Sequence, residues 1–278
     1  MPDLFVHIAF PLLLSVMFKI KNWKLLVIGA VLPDLSRALM ILFSFLRFDE
    51  LKSYLILAPM HTPFIMILFS ISVALIFNNF FRNFLLIFLG IITHFFLDIL
   101  QFSGTFGQIL FYPVYIKEYT LNLFYGGNLI FPIMGIIVSL ICLFFLKEKS
   151  NLRLNKNPYF FIIPIIISAI FLFSTQNILI ENNVHGINFL LHPEKYENKE
   201  VNLYNSKIVS LNPLTLDEMG HNFVLETKEK LEIGSQITIN GIYNDKKINV
   251  NSIFFHNNNK EIFSSFALIF FLILLFKK

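Results

Sequence analysis

Cysteine is all but missing from this chain. Cys142 is the only one, and it lies deep in an apolar run. A lone cysteine excludes an intrachain disulfide and any cysteine-based zinc site. A cleavable leader is also absent by pattern. The first apolar run ends in Phe18-Lys19-Ile20-Lys21 with no small-residue cleavage site, and it is preceded by Asp3 where a leader carries positive charge. It reads as a retained first helix. There is no internal repeat. No basic, aromatic-studded groove is present, which argues against a nucleic-acid partner. The net charge of +4 does not change this, because the basic residues cluster between apolar runs, as they do in membrane proteins.

What the chain does have is apolar length. Of its 278 residues 56% are apolar, and the mean hydropathy of +0.69 lies outside the range of soluble domains. The fold class expected is an all-α polytopic membrane protein with a small β module. Since roughly 20 apolar residues cross a bilayer, the candidate spans are 4–20, 24–46, 59–77, 83–101, 128–146, 158–175 and 262–276. Pro33 should kink or break the second into two half-helices, with Asp34 opening the latter half near the positive end of its dipole. Basic residues set the orientation. Lys19, Lys21 and Lys24, then Arg82, then Lys147, Lys149, Arg153 and Lys156, then Lys277 and Lys278 fall on one side. The opposite loops hold Arg47, Lys52 and Lys117. The rich side is the cytoplasmic one. The N-terminus is then outside and the C-terminus inside.

His7, Asp34, His61, His94 and Asp98 sit inside or at the edge of otherwise greasy segments in the first hundred residues. An aspartate at the centre of a membrane helix costs roughly 2.5–3.5 kcal/mol on the insertion scale, so such residues point to a use. Three imidazoles and two carboxylates form a donor set for zinc or a similar divalent ion. On the expected topology His7, His61, His94 and Asp98 share a similar outer depth, with Asp34 deeper. His94-Phe-Phe-Leu-Asp98 sets an imidazole and a carboxylate on one helix face. They can bind one ion together, or Asp98 can orient the ring; the plain alternative is a packing hydrogen bond. Asp34 reads as a ligand, a bridging carboxylate or a general base, or as an ion-pair partner of Arg37 one turn on. Arg37 has the fork geometry that suits a phosphate. His61-Thr62-Pro63 starts a helix, and His7 precedes Pro11; either imidazole taken alone could be interfacial. Gly104-Thr105-Phe106-Gly107 and Phe111-Tyr112-Pro113 follow the fourth span as a ligand-approaching loop or a plain connection. Asn128, near Gly126-Gly127, is a minor candidate for lining the site. His185, His192, His221 and His256 have no ligand spacing and read as surface residues.

Residues 181–260 change character. Polar residues return, and Lys199–Leu211, Asn222–Thr227, Gln236–Tyr243 and Lys246–Phe255 read as strands, with a turn at Asn244-Asp245. The phrases Glu200-Val-Asn-Leu-Tyr and Gly234-Ser-Gln-Ile-Thr-Ile-Asn-Gly241 resemble strands of small OB-like barrels. With 10 acidic against 8 basic residues the module is no nucleic-acid binder, and it reads as a cap or interaction domain of unknown partner. The organisation expected is a metal-site domain over 1–120, further helices over 121–180, an extramembrane β domain over 181–260, and a last helix over 261–278.

Taken in order, the motifs resemble a family, the YdjM-type membrane-bound metal-dependent hydrolases. They stand here as His7-Ile-Ala-Phe-Pro11, Gly29-Ala-Val-Leu-Pro-Asp34, His61-Thr62, Thr93-His94-Phe-Phe-Leu-Asp98 and Phe111-Tyr112-Pro113, across residues 1–115. Where the family often carries Pro-Asp-x-Asp-His, this chain has Ser36 and Arg37 in the last two places. Where the family often has a second histidine ahead of the His-Ser/Thr step, it has Ile56. The resemblance implies hydrolysis through a bound divalent ion, zinc above all, and the two departures favour one ion over two. The function expected is hydrolysis of a lipid or phosphoester at the outer membrane–water interface, with Asp34, Asp98 and Arg37 in the chemistry. Two other readings stand beside it: an ion- or proton-coupled transporter, and a non-catalytic scaffold that displays the β module.

Overall fold

A computed structural model describes residues 4–102, 107–125, 128–146, 152–256 and 259–276. The first half is helical: α1 (Leu4–Met17), α2 (Trp23–Val31), α3 (Leu35–Phe45), α4 (Glu50–Leu57), α5 (Pro63–Ile76) and α6 (Phe80–Leu100). Short strands β1 (Gln101–Phe102), β2 (Gln108–Phe111), β3 (Tyr115–Tyr119) and β4 (Phe124–Tyr125) follow, with β2 and β3 forming a hairpin. Then come α7 (Ile130–Phe145), α8 (Ile162–Ser174), α9 (Gln176–Glu181) and α10 (Ile187–Leu191). The chain closes with β5 (Lys199–Leu211), β6 (Leu214–Glu218), β7 (His221–Glu226), β8 (Gln236–Asn244), β9 (Lys247–Phe255) and α11 (Asn259–Phe276).

Each expected apolar segment is helical, but among the described residues two rather than seven are long and apolar enough to cross a membrane: Trp23–Phe45 and Phe80–Leu100. Glu50–His61 with Pro63–Ile76 adds a third if that bent pair counts as one span. The others are shorter; the 14 residues of α1 reach about 21 Å at 1.5 Å per residue, against a hydrocarbon core of about 30 Å.

The expected interruption at Pro33 is present, in a mild form. Pro33 sits in a single 3-10 turn, Leu32–Asp34, that divides the segment into α2 and α3 with Asp34 at the start of the second, while Trp23–Phe45 as a whole still counts as one candidate span. The sharp bend, 73°, comes at Thr62, whose extended backbone (φ −131°, ψ 147°) precedes Pro63. Proline disfavours the helical region for the residue before it and is well placed to open a helix.

Helices α2 and α6 cross at glycines. A Cβ on Gly29 would lie 2.0 Å from the Ile87 carbonyl oxygen, and one on Gly90 would lie 2.1 Å from the Leu26 carbonyl oxygen. Only hydrogen at both positions lets the backbones touch. Helix α1 packs on α7 in a similar way, with a Cβ on Gly135 falling 2.9 Å from the Phe5 backbone.

Strands β5 to β9 close a small barrel in the order β5-β6-β7-β9-β8, with β7 and β9 parallel. Strand β6 went unread in the sequence. The last hairpin turns at Asp245 and Lys246, both at positive φ, one residue beyond the expected turn. Residues 181–198, expected in the β domain, are largely helical or in 3-10 turns, so the barrel begins at Lys199. It does not stand apart. Its interior residues Leu203, Ile208, Leu216 and Ile239 belong to one apolar core with Leu51 and Leu55 of α4, Ile109 of β2, and Tyr112. The barrel is seated on the elements that follow the spans.

Candidate metal centre

Helix α6 carries the centre of the site. One turn after Gly90, where α2 is closest, His94 lies fully buried, and its Nδ1 is 2.7 Å from the Ala30 carbonyl oxygen of α2. A carbonyl only accepts, so Nδ1 carries the proton and Nε2 presents a lone pair. His61, at the end of the 3-10 turn Ala58–His61, is fixed in the same way. Its Nδ1 donates to the Pro33 carbonyl oxygen at 3.1 Å. The Leu32–Asp34 turn and the adjoining end of α2 therefore orient two imidazoles through backbone oxygens.

The free faces of three rings meet Asp98. His61 Nε2 is 2.9 Å and His94 Nε2 3.2 Å from Asp98 Oδ2, while His7 Nε2 is 3.5 Å from Oδ1. His7 and Asp98 are as deeply enclosed as His94, whereas His61 keeps some exposure. The rings of His7 and His94 stack with centroids 3.9 Å apart. Gln101, one turn beyond Asp98, donates from Nε2 to Asp98 Oδ1 at 3.0 Å.

The donor set fits a divalent cation. Both nitrogens of His7 and Nε2 of His94 are buried and form no hydrogen bond, although the two Nε2 atoms approach the carboxylate. Ligand bonds of about 2.0–2.1 Å at tetrahedral angles set donor atoms about 3.3 Å apart, and the observed contacts bracket that value. With Nδ1 of His61 protonated toward Pro33, its Nε2 meets Asp98 either as an imidazolium or across a cation. Two triads bring their ligand atoms within 4.8 Å of one another, His7–His94–Asp98 and Asp34–His61–His94. All five residues singled out in the sequence thus enter one cluster, with His94 shared. Asp34 is half-buried at the end of the 3-10 turn, and Arg37 lies one turn on, in α3.

Other expectations fall elsewhere. Tyr112 is buried in the barrel-side core and donates to the Thr175 carbonyl at 2.9 Å. Asn128 is exposed and accepts from the Ile130 backbone N–H, so it does not line the cluster. Gly104, Thr105, Phe106, Gly126, Gly127, Lys147, Lys149, Lys277 and Lys278 lie outside the described residues. His192 is a surface residue facing Glu194. His256 is half-buried and joined to Thr238 on the barrel.

His185 is not a surface residue, and this corrects the sequence reading. Its side chain is 23% exposed and its Nδ1 shares a hydrogen bond with the Tyr54 hydroxyl of α4. Its Nε2 faces Glu118 Oε1 of β3 at 3.7 Å, and its ring stacks near Tyr204 of β5. Burial, and next the charge of nearby His61, hold the His185 pKa down at about 4. Burial raises the Glu118 carboxyl, offset in part by the Gly107 N–H that it accepts at 2.9 Å. The partners come from positions 54, 118, 185 and 204, so no local motif marks the group. Gln101 was missed as well, although its place three residues after Asp98 on the same helix end is a usable signal. Comparison with family models, with curated proteins and with solved structures finds no match to this chain.

Proposed function

We propose that the chain is a multi-pass membrane hydrolase that works through a divalent ion, most simply Zn²⁺, held by His7, His61, His94 and Asp98 with Asp34 beside them. The convergence of three imidazole Nε2 atoms on one buried carboxylate carries this reading. The motif resemblance to the YdjM-type hydrolases over residues 1–115 supports it. When bound, the ion supplies an acidified water and polarises the bond under attack.

The chain's own groups do the rest. The Ala30 and Pro33 carbonyls keep His94 and His61 in the tautomer that offers Nε2. Gln101 holds Asp98 in place. Asp34 would serve as the general base for that water. Arg37 meets the anionic part of the substrate with its planar fork. The apolar helices around the cluster and its position near their ends favour a lipid or other phosphoester at the outer interface. On this reading the N-terminus and the OB-like barrel lie outside and the C-terminus is cytoplasmic.

The test is metal analysis of the full chain purified in detergent without chelator. Wild type is expected to carry a divalent ion in stoichiometric amount, and His94→Ala to lose both ion and turnover. Full metal retention in His94→Ala would overturn the proposal.

A further inference from the structure

Two sets of three residues in the cluster can each grip a cation, and they share only His94. The closed set is His7, His94 and Asp98, whose side chains have no exposed surface. The open set is Asp34, His61 and His94. Asp34 is half-buried, and the His61 side chain keeps 14% of its surface exposed. Each set supplies two imidazoles and one carboxylate with ligand atoms within 4.8 Å of one another, enough protein ligands for a zinc position that leaves one place over. One short segment builds the open set. The Ala30 carbonyl receives Nδ1 of His94, the Pro33 carbonyl receives Nδ1 of His61, and Asp34 is the next residue. Both rings are left with Nε2 as their ligand atom. That atom decides how the sets relate. Nε2 of His94 has a single lone pair and serves one ion at a time, so the sets are alternative positions for one ion and not a two-ion centre. His61 links them, because its Nε2 also lies 2.9 Å from Asp98 Oδ2 of the closed set. An ion entering the closed set directly would have to shed its water where no ligand side chain meets solvent, and stripping a charge of water without replacing its partners is costly. The open set removes that step, since its half-buried carboxylate and partly exposed imidazole can replace water ligands one by one.

We propose that Asp34, His61 and His94 form the entry position of the metal centre, and that His7 and Asp98 complete its resting position. The inference deepens the metal-site reading above and rests on it. Asp34 and His61 capture a divalent cation from solvent, and His94 Nε2 joins them. Asp98 and His7 then take the place of Asp34, while His61 and His94 keep their hold. The donor set carries one carboxylate before and after the exchange, so the charge around the cation stays balanced throughout. Asp34, once released, is free for the general-base role assigned to it above.

The experiment needs no substrate. It follows Zn²⁺ uptake by the metal-free full chain in detergent and Zn²⁺ release from the loaded chain to a competing chelator. A residue that is a ligand only in transit changes both rates alike. Asp34→Asn should therefore slow uptake and release together, each on the order of tenfold, and leave the affinity within about threefold. Asp34→Glu restores the carboxylate and should recover most of the lost speed. A residue of the resting position behaves differently. His7→Ala should take up Zn²⁺ at the wild-type rate and release it roughly 10–100 times faster, with affinity down by the same factor. Asp34→Asn that takes up Zn²⁺ normally but releases it faster would place Asp34 among the resting ligands and overturn the entry position. Unchanged rates in Asp34→Asn would overturn it too. Either result leaves the hydrolase reading standing, whereas a wild type that takes up no divalent ion would overturn both.

Discussion

Nδ1 of His94 lies 2.7 Å from the carbonyl oxygen of Ala30, across the contact where α2 and α6 meet glycine to backbone. The imidazole at the heart of the cluster is therefore aimed by a helix crossing, and that crossing exists because Gly29 and Gly90 have no side chains. On the proposed reading, metal affinity would depend on helix packing through this geometry.

A substitution far from any ligand atom should thus disable the site. Gly90→Ala would place a methyl 2.1 Å from the Leu26 carbonyl oxygen and 2.8 Å from the Ala30 backbone nitrogen. Neither backbone group can turn aside, so α2 and α6 must separate, and the His94–Ala30 hydrogen bond lengthens or breaks. The expected result is a folded but less stable protein, down by roughly 1–3 kcal/mol as for other overpacked cores, with metal content well below wild type. Metal analysis alongside thermal unfolding in detergent checks it; a stable Gly90→Ala protein with full metal would show that the crossing does not aim the ligand.

Gln101 gives a gentler probe. Its side-chain amide donates to the Leu97 carbonyl and to Asp98 Oδ1, the carboxylate oxygen that faces His7. Removing an outer partner of a metal ligand commonly weakens metal affinity 10–100-fold. Gln101→Ala should therefore bind zinc, but release it to a competing chelator at a concentration roughly 10–100 times lower than wild type requires. Gln101→Glu should behave differently, since a second carboxylate beside Asp98 either repels it or becomes a ligand itself.

How much of this was readable from residues alone follows physical lines. His94 and Asp98 were legible because a four-residue step on a helix brings two side chains together whatever the tertiary fold. His7, Asp34 and His61 were legible because polar groups in apolar segments are costly. The sharp bend at Pro63 and the mild 3-10 interruption at Pro33 were not separable in sequence, since proline opens a helix as readily as it interrupts one. Most of the seven expected spans prove to be helices shorter than a bilayer crossing among the described residues, because apolar composition carries no length signal once loops are apolar too. Strand β6 has only five residues after Pro213, and its alternation Leu214-Thr215-Leu216-Asp217 runs at once into two acidic residues, so the signal is weak. His185 was misread because its partners lie on three other chain segments. Only the seating of the barrel on α4 and on the β2–β3 hairpin gathers them.

The barrel also carries a titrating group whose effect on stability has a definite sign. Glu218 is 3% exposed, at the end of β6, and accepts a hydrogen bond from Ser206. Burial, offset in part by that hydrogen bond, pushes its pKa up to about 8 from an ordinary value of 4.5. The folded state thus holds a proton over a range where the unfolded chain has lost it. Stability from this residue is fully present below about pH 4.5 and declines as pH rises to about 8, above which it is gone. Glu218→Gln keeps the shape and the acceptor for Ser206 without the ionisation. The variant should match wild type at pH 4 and exceed it at pH 8 by roughly 2–4 kcal/mol, a tenfold change in proton affinity being worth about 1.4 kcal/mol. Thermal unfolding of the full chain and of the variant across this range isolates Glu218, since every other titrating group is common to both. Parallel curves from pH 4 to 8 would mean that the carboxyl is solvated and that the barrel opens around it.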